Sequence, residues 1–512
     1  MNEAQYRAVC EICDRILLAS DSTTERVAIT WLHIVREHPI FLKRYEDLFE
    51  IARGAKAIVN SCLRIGRNKA AMIRQIGRSL FSDGEPWYGR TQLQSPIDIL
   101  FISHLLNPSQ SGKEDDFYYG GLPIEMAARG YSAVIALINH TGQSAGCLAG
   151  KWNESSVPRV ILSSSIRFLE EIALRRRLKI ESVRLKKLAN TTHPELTRRV
   201  LTRASEESLA NSSLTNLRIG SQIGALVAKL KPAAIVVTHE GHAWERMVFA
   251  AARCASPSTL CIAYQHSALF HLQHAIRRNL EQEYNPDQIM TAGAVSKAQL
   301  GSAPGLNGIP ISVLGSNRSW AGNGADTNGK RQVNLKQLKG SNQSACLVLP
   351  EGINSECYHL FEFSQECAKV CPEIQFIWRL HPLVTFESLL ARNTNLKDLP
   401  KNIILSQATL EEDIDRCRWA LYRGTTAIVK AVGAGLRPIY LQLPGELSID
   451  PLYEVKGWRV SVKTVEDFQG VTSCDLDGLL IDSDPEFSSA KRYCEDFFRP
   501  LNPKTLEVAI FS

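Results

Sequence analysis

No stretch of this chain approaches the roughly 18 consecutive apolar residues that a membrane-spanning helix requires. A strong charge bias is missing too. A net charge of +6 over 512 residues is modest, and nucleic-acid-binding chains carry a larger basic excess on one element. The opening MNEAQYRAVCEICDRILLAS has acids and cysteines where a secretory leader has a basic start and an apolar core, so no such leader is expected. Cysteine is plentiful but unorganised: thirteen residues, an odd number, with a lone Cys10-x-x-Cys13 and no second CxxC. That spacing also suits one helix face, and Cys261 and Cys346 lie in apolar runs where a thiol serves as a small hydrophobe. A reducing, cytoplasmic setting is the expectation. There is no HExxH, since His239-Glu240-Gly241-His242 has the wrong spacing, so no metal or cofactor is implied. Fixed-period repeats and low-complexity tracts are absent as well.

What remains is an ordinary globular composition, 44% hydrophobic and 22% charged, on a chain long enough for roughly two to four domains. Residues 1–94 show helical spacing, with Val27, Trp31, Ile34 and Val35 on one face up to a break at His38-Pro39, and are expected to form a helical appendage. From Ser95-Pro96 the texture changes. Ile97–His104 is a buried-strand run, followed by a polar loop, a helix-like Leu122–Arg129 and a second apolar run at Ala133–Ile138. This is the strand–helix alternation of a parallel sheet. Further strand signals at Arg159–Leu162, Ala233–Thr238, Thr259–Gln265, Gln288–Thr291 and Ile311–Leu314 complete a first α/β domain, 95–325.

Within it, 165–204 is a basic helical insertion with eleven Lys/Arg against four acids, a net of +7. It is either a solvated helical face or a peripheral contact for anionic lipid at the inner face of the cytoplasmic membrane, where each basic residue contributes about 1 kcal/mol. Residues 316–344, rich in Gly, Asn and Ser, read as a linker. A second α/β domain, 326–484, follows, with strands at Cys346–Pro350, Ile374–Leu380, Asn402–Leu405, Trp419–Tyr422 and Arg437–Leu441. A C-terminal helix in 485–512 is expected to pack back on the first domain.

Ligands of open parallel sheets sit beyond the C-terminal strand ends. Two turns in the second domain fit that position. Trp378-Arg379-Leu380-His381-Pro382 leaves an imidazole at a strand tip, able to donate to a phosphate or protonate a leaving group. Tyr422-Arg423-Gly424-Thr425-Thr426 gives close backbone approach at Gly424 and two hydroxyls at a helix start, an anion site. The two turns lie on separate strands of one sheet and can converge.

The order His381-Pro382, then Thr425-Thr426 opening a helix, then GTTAIVKAVGAGLRPIYL, resembles bacterial GT-B transferases that use CMP-activated Kdo or other nonulosonic acids, polysialyltransferases among them. The resemblance implies an α/β, GT-B fold of two Rossmann-like parallel-sheet domains facing a cleft, with the nucleotide-activated sugar held in the second domain. It implies that His381, Pro382, Thr425 and Thr426 contact the CMP phosphate, with Arg379, Arg423, Gly424 and Glu351 around them. The family's paired acidic motif is incomplete here: His239-Glu240-Gly241 and Pro350-Glu351-Gly352 each keep one carboxylate. Glu240, in the first domain, is taken as the base and His381 as its catalytic partner, with Glu351 the other candidate base. Glu245-Arg246 and Tyr264-Gln265-His266 resemble blocks of surface-carbohydrate biosynthesis proteins, and with Asp116 they are expected to meet a glycan or lipid-linked acceptor. The implied reaction is inverting, metal-independent glycosyl transfer in surface polysaccharide, lipopolysaccharide or capsule synthesis. A UDP- or GDP-sugar or CDP-polyol donor, or a non-catalytic scaffold, are the alternatives.

Overall fold

The computed structural model describes residues 1–49, 66, 70–80, 83–152, 155–319, 344–382, 384–476 and 484–511. Most of the expected linker at 316–344 lies outside the described residues. The chain forms two compact units. The first comprises Met1–His266, Gln273–Arg318 and Pro500–Ser512; the second comprises Ser267–Leu272 and Ser319–Arg499.

Among the described residues the first unit is built on eight strands: β1 (Trp87–Tyr88), β2 (Ile99–Leu105), β3 (Ala133–Asn139), β4 (Arg159–Leu162), β5 (Ala234–Thr238), β6 (Leu260–Gln265), β7 (Gln288–Thr291) and β8 (Ile311–Val313). Their order is β1-β4-β3-β2-β5-β6-β7-β8, parallel throughout except for the short edge pair β1–β4. Ile99 to Ile102 and Ala234 to Val237 are buried on both faces, the continuous apolar pattern that an all-parallel, helix-covered sheet demands. The chain leaves β2 toward β3 and β4, then returns to place β5 on the other side. The strand order therefore reverses between β2 and β5, where open α/β sheets leave a crevice.

The N-terminal segment departs from its sequence pattern. In place of one helix through Val27 and Trp31 there are a single turn at Thr24–Val27 and a 3-10 turn at Thr30–Leu32, after which His33 to His38 has no regular structure. Burial explains the difference. Trp31, Leu32, His33, Ile34, Glu37 and His38 are all buried, so the segment packs on several sides instead of presenting one helical face. The basic stretch forms the helices Phe168–Thr191 and Glu195–Glu207. Much of its charge is paired: Arg175 with Glu171, Arg177 with Glu25, Arg184 with Glu181, Arg198 and Arg199 with Glu195, and Arg203 with Asp47 and Glu207. No helix among the described residues is long and apolar enough to cross a membrane.

Among the described residues the second unit holds six parallel strands: β9 (Ser344–Leu349), β10 (Ile374–Trp378), β11 (Ile403–Leu405), β12 (Trp419–Tyr422), β13 (Arg437–Leu441) and β14 (Val460–Val462). The order β11-β10-β9-β12-β13-β14 reverses between β9 and β12, so this Rossmann-like sheet has its own crevice there. Its core includes Trp378 stacked on Phe361 with ring centroids 4.2 Å apart. Pro485–Phe497 belongs to this unit, its Phe487 ring 5.2 Å from Trp458, whereas the last helix, Pro503–Phe511, belongs to the first.

Candidate functional site

In the second unit, three turns that are far apart in sequence meet beyond the ends of β9, β10 and β12. Gly352, just past β9, lies so close to His381 that a Cβ there would fall 2.7 Å from its Nδ1. Gly424, just past β12, is packed against the Glu351 carboxylate, whose Oε1 occupies the space a Cβ there would take. Glycine at both positions lets these side chains approach, and a larger residue would push them aside; neither position has an unusual backbone angle. Pro350-Glu351-Gly352, His381-Pro382 and Gly424-Thr425 are thereby one constellation at the β9/β12 reversal. Thr425 is buried and Thr426 half-buried at the start of the helix Ala427–Gly433, which begins two residues later than the sequence suggests. Pro382 is exposed at the rim.

The two arginines of these turns are already engaged. Arg379 Nη1 donates to the Asp413 carboxylate at 2.8 Å and to the Ala408 carbonyl at 2.6 Å. Asp413, fully buried, also accepts from Ser406 Oγ and from Arg416. Arg423, 2% exposed, lies between Glu446 at 2.6 Å and Glu356 at 3.2 Å. Arg423 is therefore offset by two carboxylates, whereas Arg379 shares the single Asp413 carboxylate with Arg416.

In the first unit, the loop after β5 is organised by Glu245. From the first turn of the helix Ala243–Ala255 its carboxylate accepts from the backbone N–H groups of Glu240 at 2.9 Å, Gly241 at 2.8 Å and His242 at 3.0 Å. His239 Nδ1 is 2.6 Å away, although the ring is not aimed along a hydrogen-bond direction. Gly241 has φ +92°, and a Cβ there would run into the backbone of Ala275 and Ile276, so only glycine fits. Arg246, 1% exposed, donates to the carbonyls of Ala275, Arg278 and Tyr284 and to Asn285 Oδ1. Asp116 accepts from Ser103 Oγ and from the N–H groups of Tyr118 and Tyr119, which folds the loop after β2. Glu245, Arg246 and Asp116 thus face inward as supports, and Gln265 is fully buried at the end of β6.

Glu240 emerges from this held loop. It forms an ion pair with Arg36, and its other oxygen is 3.4 Å from His242 Nε2. Burial pushes the Glu240 carboxyl up, but the Arg36 guanidinium and the His242 and His266 imidazoles outweigh it and hold the group well below the usual carboxylate range. The same pairing raises His242 despite its burial. His266, buried and near Glu240, is pushed down to about 4 by desolvation.

Beside this pair lies a set of residues that the motif reading passed over. His104 Nε2 is 3.1 Å from Thr238 Oγ1, and its Nδ1 is 2.9 Å from His140 Nε2. The rings of Trp244 and Tyr118 approach His104 edge-on at 5.0 and 5.4 Å, and Tyr118 also meets His266 at 4.5 Å. The signal was available: His104 is the polar end of the strand run IDILFISH, at the β2/β5 reversal. Of the other histidines, His274 pairs with Asp14 at 2.7 Å, and His271 lies 5.0 Å from Tyr453.

No protein-family model matches this chain, and no curated protein sequence is significantly similar to it. Among solved structures it is similar to a glycotransferase of kitacinnamycin, at 10% identity and a TM-score of 0.47 over 82% of this chain and 100% of that one. It is also similar to the glycosyltransferase SnogD from Streptomyces nogalater, at 14% identity and a TM-score of 0.43 over 81% and 100%. A third is an alpha,alpha-trehalose 6-phosphate synthase from Burkholderia multivorans, at 9% identity and a TM-score of 0.45 over 81% and 96%. Likenesses this distant carry no activity from those proteins to this chain.

Proposed function

We propose that this chain is a metal-independent GT-B-type glycosyltransferase. The second unit would hold a nucleotide-activated sugar, and the first would meet a glycan or glycolipid acceptor. The observation that carries this reading is the meeting of Glu351, His381 and the Gly424-Thr425-Thr426 turn at the β9/β12 reversal. His381, the two threonine hydroxyls and the backbone at Gly424 receive the donor phosphate. Such donors act on charge that develops as the nucleotide leaves, and one well-placed donor contributes on the order of 3–4 kcal/mol. The Glu351 carboxylate would repel a phosphate, so its place is against hydroxyl or amino hydrogens of the sugar or nucleoside. Arg423, offset by two carboxylates, shapes the pocket rather than clamping the anion, while Arg379, which shares Asp413 with Arg416, keeps part of its charge for the phosphate.

The donor that best fits the motif order is CMP-linked Kdo or another nonulosonic acid, which would place the enzyme in surface polysaccharide synthesis. Glu240 faces the acceptor hydroxyl and orients it as a hydrogen-bond acceptor; with Arg36 holding it ionised, it has little affinity for the proton. The test is binding of CMP, CDP, UDP and GDP, followed by nucleotide release from the matching sugar donors with lipid-linked or lipopolysaccharide acceptors. CMP preference supports the nonulosonate donor. UDP or GDP preference moves the enzyme to another sugar, CDP to a polyol donor, and no binding at all leaves a scaffold. His381→Ala should lower turnover about 100-fold while the protein stays folded. Near-normal turnover removes His381 from the reaction.

A further inference from the structure

If Glu240 does not keep the acceptor's proton, another group has to take it. Thr238 ends β5, His104 is the penultimate residue of β2 and His140 follows β3, so these three residues sit on the C-terminal ends of three neighbouring strands in the order β3-β2-β5. Their side chains form one continuous chain, from Thr238 Oγ1 to His104 Nε2 at 3.1 Å and from His104 Nδ1 to His140 Nε2 at 2.9 Å. Thr238 is 1% exposed, His104 is half-buried between the Trp244 and Tyr118 rings, and His140 is exposed. The line therefore runs from the core to solvent at the reversal of the sheet.

We propose that His140 is the base of the acceptor site and that His104 and Thr238 are positioning residues that relay and hold its proton. This rests on the transferase reading above. In the neutral chain His104 Nε2–H donates to Thr238 Oγ1, and His140 Nε2–H donates to His104 Nδ1. His140 Nδ1 is then left with a free lone pair. In the reaction the acceptor O–H bond breaks and its proton goes to His140 Nδ1. The oxygen electron pair forms the bond to the anomeric carbon, and the bond from that carbon to the donor phosphate oxygen breaks, its electrons leaving with the nucleotide. The Nε2 proton of His140 shifts onto His104 Nδ1, so that one positive charge is shared by two rings.

The surroundings favour a neutral resting state. Burial and the neighbouring His140, His266 and His242 imidazoles hold His104 well below its ordinary value, with Glu240 opposing them. His140, although its side chain reaches solvent, is lowered by partial desolvation from the protein around it and by His242. Both rings thus start unprotonated near neutral pH.

Two measurements test the relay on the full-length protein. His140→Ala should lower turnover about 100-fold at an acceptor KM within about threefold of the parent, and free imidazole should restore part of the loss. A ring with a merely structural role at this exposed position would not be rescued in that way. His104→Asn should lower turnover about tenfold and shift the acidic limb of the pH profile. The second measurement, titration of the ring nitrogens in 15N-histidine-labelled protein, needs no substrate. Coupled rings take up their protons in two separate steps, and His104→Asn should leave His140 with a single step that stays below its ordinary value of ~6.5, because partial desolvation and His242 still act on it. Independent titration in the parent overturns the relay. Turnover of His140→Ala within about threefold of the parent, or no rescue by imidazole, overturns its role as base. Coupled titration in a protein that turns over no nucleotide sugar overturns the transferase reading, and the base role with it, while the relay stands.

Discussion

Glu245 is the residue whose replacement separates support from chemistry most sharply. Its carboxylate, 1% exposed, is the acceptor for three consecutive backbone N–H groups and the close neighbour of His239. Glu245→Ala strands all three donors away from water and removes a buried charge from its partners. Removing one side of a buried charged network costs about 3–5 kcal/mol, a large share of the ~5–15 kcal/mol that holds a typical domain folded. Glu245→Gln keeps one oxygen, which can still serve Gly241 and His242 but not the N–H of Glu240. The expected loss is about 1–2 kcal/mol, one hydrogen bond plus charge assistance. Equilibrium urea unfolding followed by tryptophan fluorescence reads both variants, because Trp244 is next to the affected turn.

The pH dependence supplies a second reading of the same variants. Burial raises the Glu245 carboxyl, but His239, His242 and the backbone donors outweigh it and leave the group lowered. A lowered carboxylate stabilises above its unfolded value of ~4.3, and that stability is lost as pH falls through its folded value. The gap between parent and Glu245→Gln should therefore be full at pH 7 and close below about pH 4. An alanine variant within about 1 kcal/mol of the parent would refute the assignment of Glu245 as the loop's anchor, as would a glutamine variant as unstable as alanine.

Gly424→Ala forces the Glu351 carboxylate out of its place, and because Gly424 has an ordinary φ the fold should survive with little loss. Nucleotide affinity should fall about tenfold, equivalent to ~1.4 kcal/mol, by calorimetric titration; unchanged affinity would separate Glu351 from the nucleotide. His266, lowered to about 4 by burial, favours the folded state above the unfolded value of ~6.5, and this contribution shrinks as pH falls from there toward 4. On the order of 3 kcal/mol should leave the first unit across that window, and His266→Gln should flatten the slope of its thermal midpoint against pH; an unchanged slope would assign the titration elsewhere.

The strands of both sheets were readable because each is a short apolar run bounded by turn residues. Gln288–Thr291, Trp419–Tyr422 and Arg437–Leu441 fall where the pattern put them. The edge strands β1 and β14 were not, since two or three residues such as Val460–Val462 are too few to show a period. The turns His381-Pro382 and Gly424-Thr425 stood out as local words in the sequence, and the sheet order explains why they meet. What no local pattern revealed is the reason for the glycines. Gly352 and Gly424 make room for side chains from other turns, His381 and Glu351, and that packing exists only once the strands are assembled.

The first unit shows the same limit more strongly, and its N-terminal segment shows why. Read alone, residues 1–94 looked like an appendage. In the fold, Asp14 pairs with His274 and Arg278, Arg26 with Asp21 and Glu181, and Arg278 with His33 at 3.0 Å. These contacts fix the path of residues 33–38, and that path delivers Arg36 to Glu240. The residue that decides whether Glu240 can act as a base thus lies 204 positions away, on a stretch without regular structure. A motif search places Glu240 after a strand and before a glycine, and stops there. Its protonation is set by a guanidinium that only the folded N-terminal segment supplies, which is why the acid could be found in the sequence while its chemistry could not.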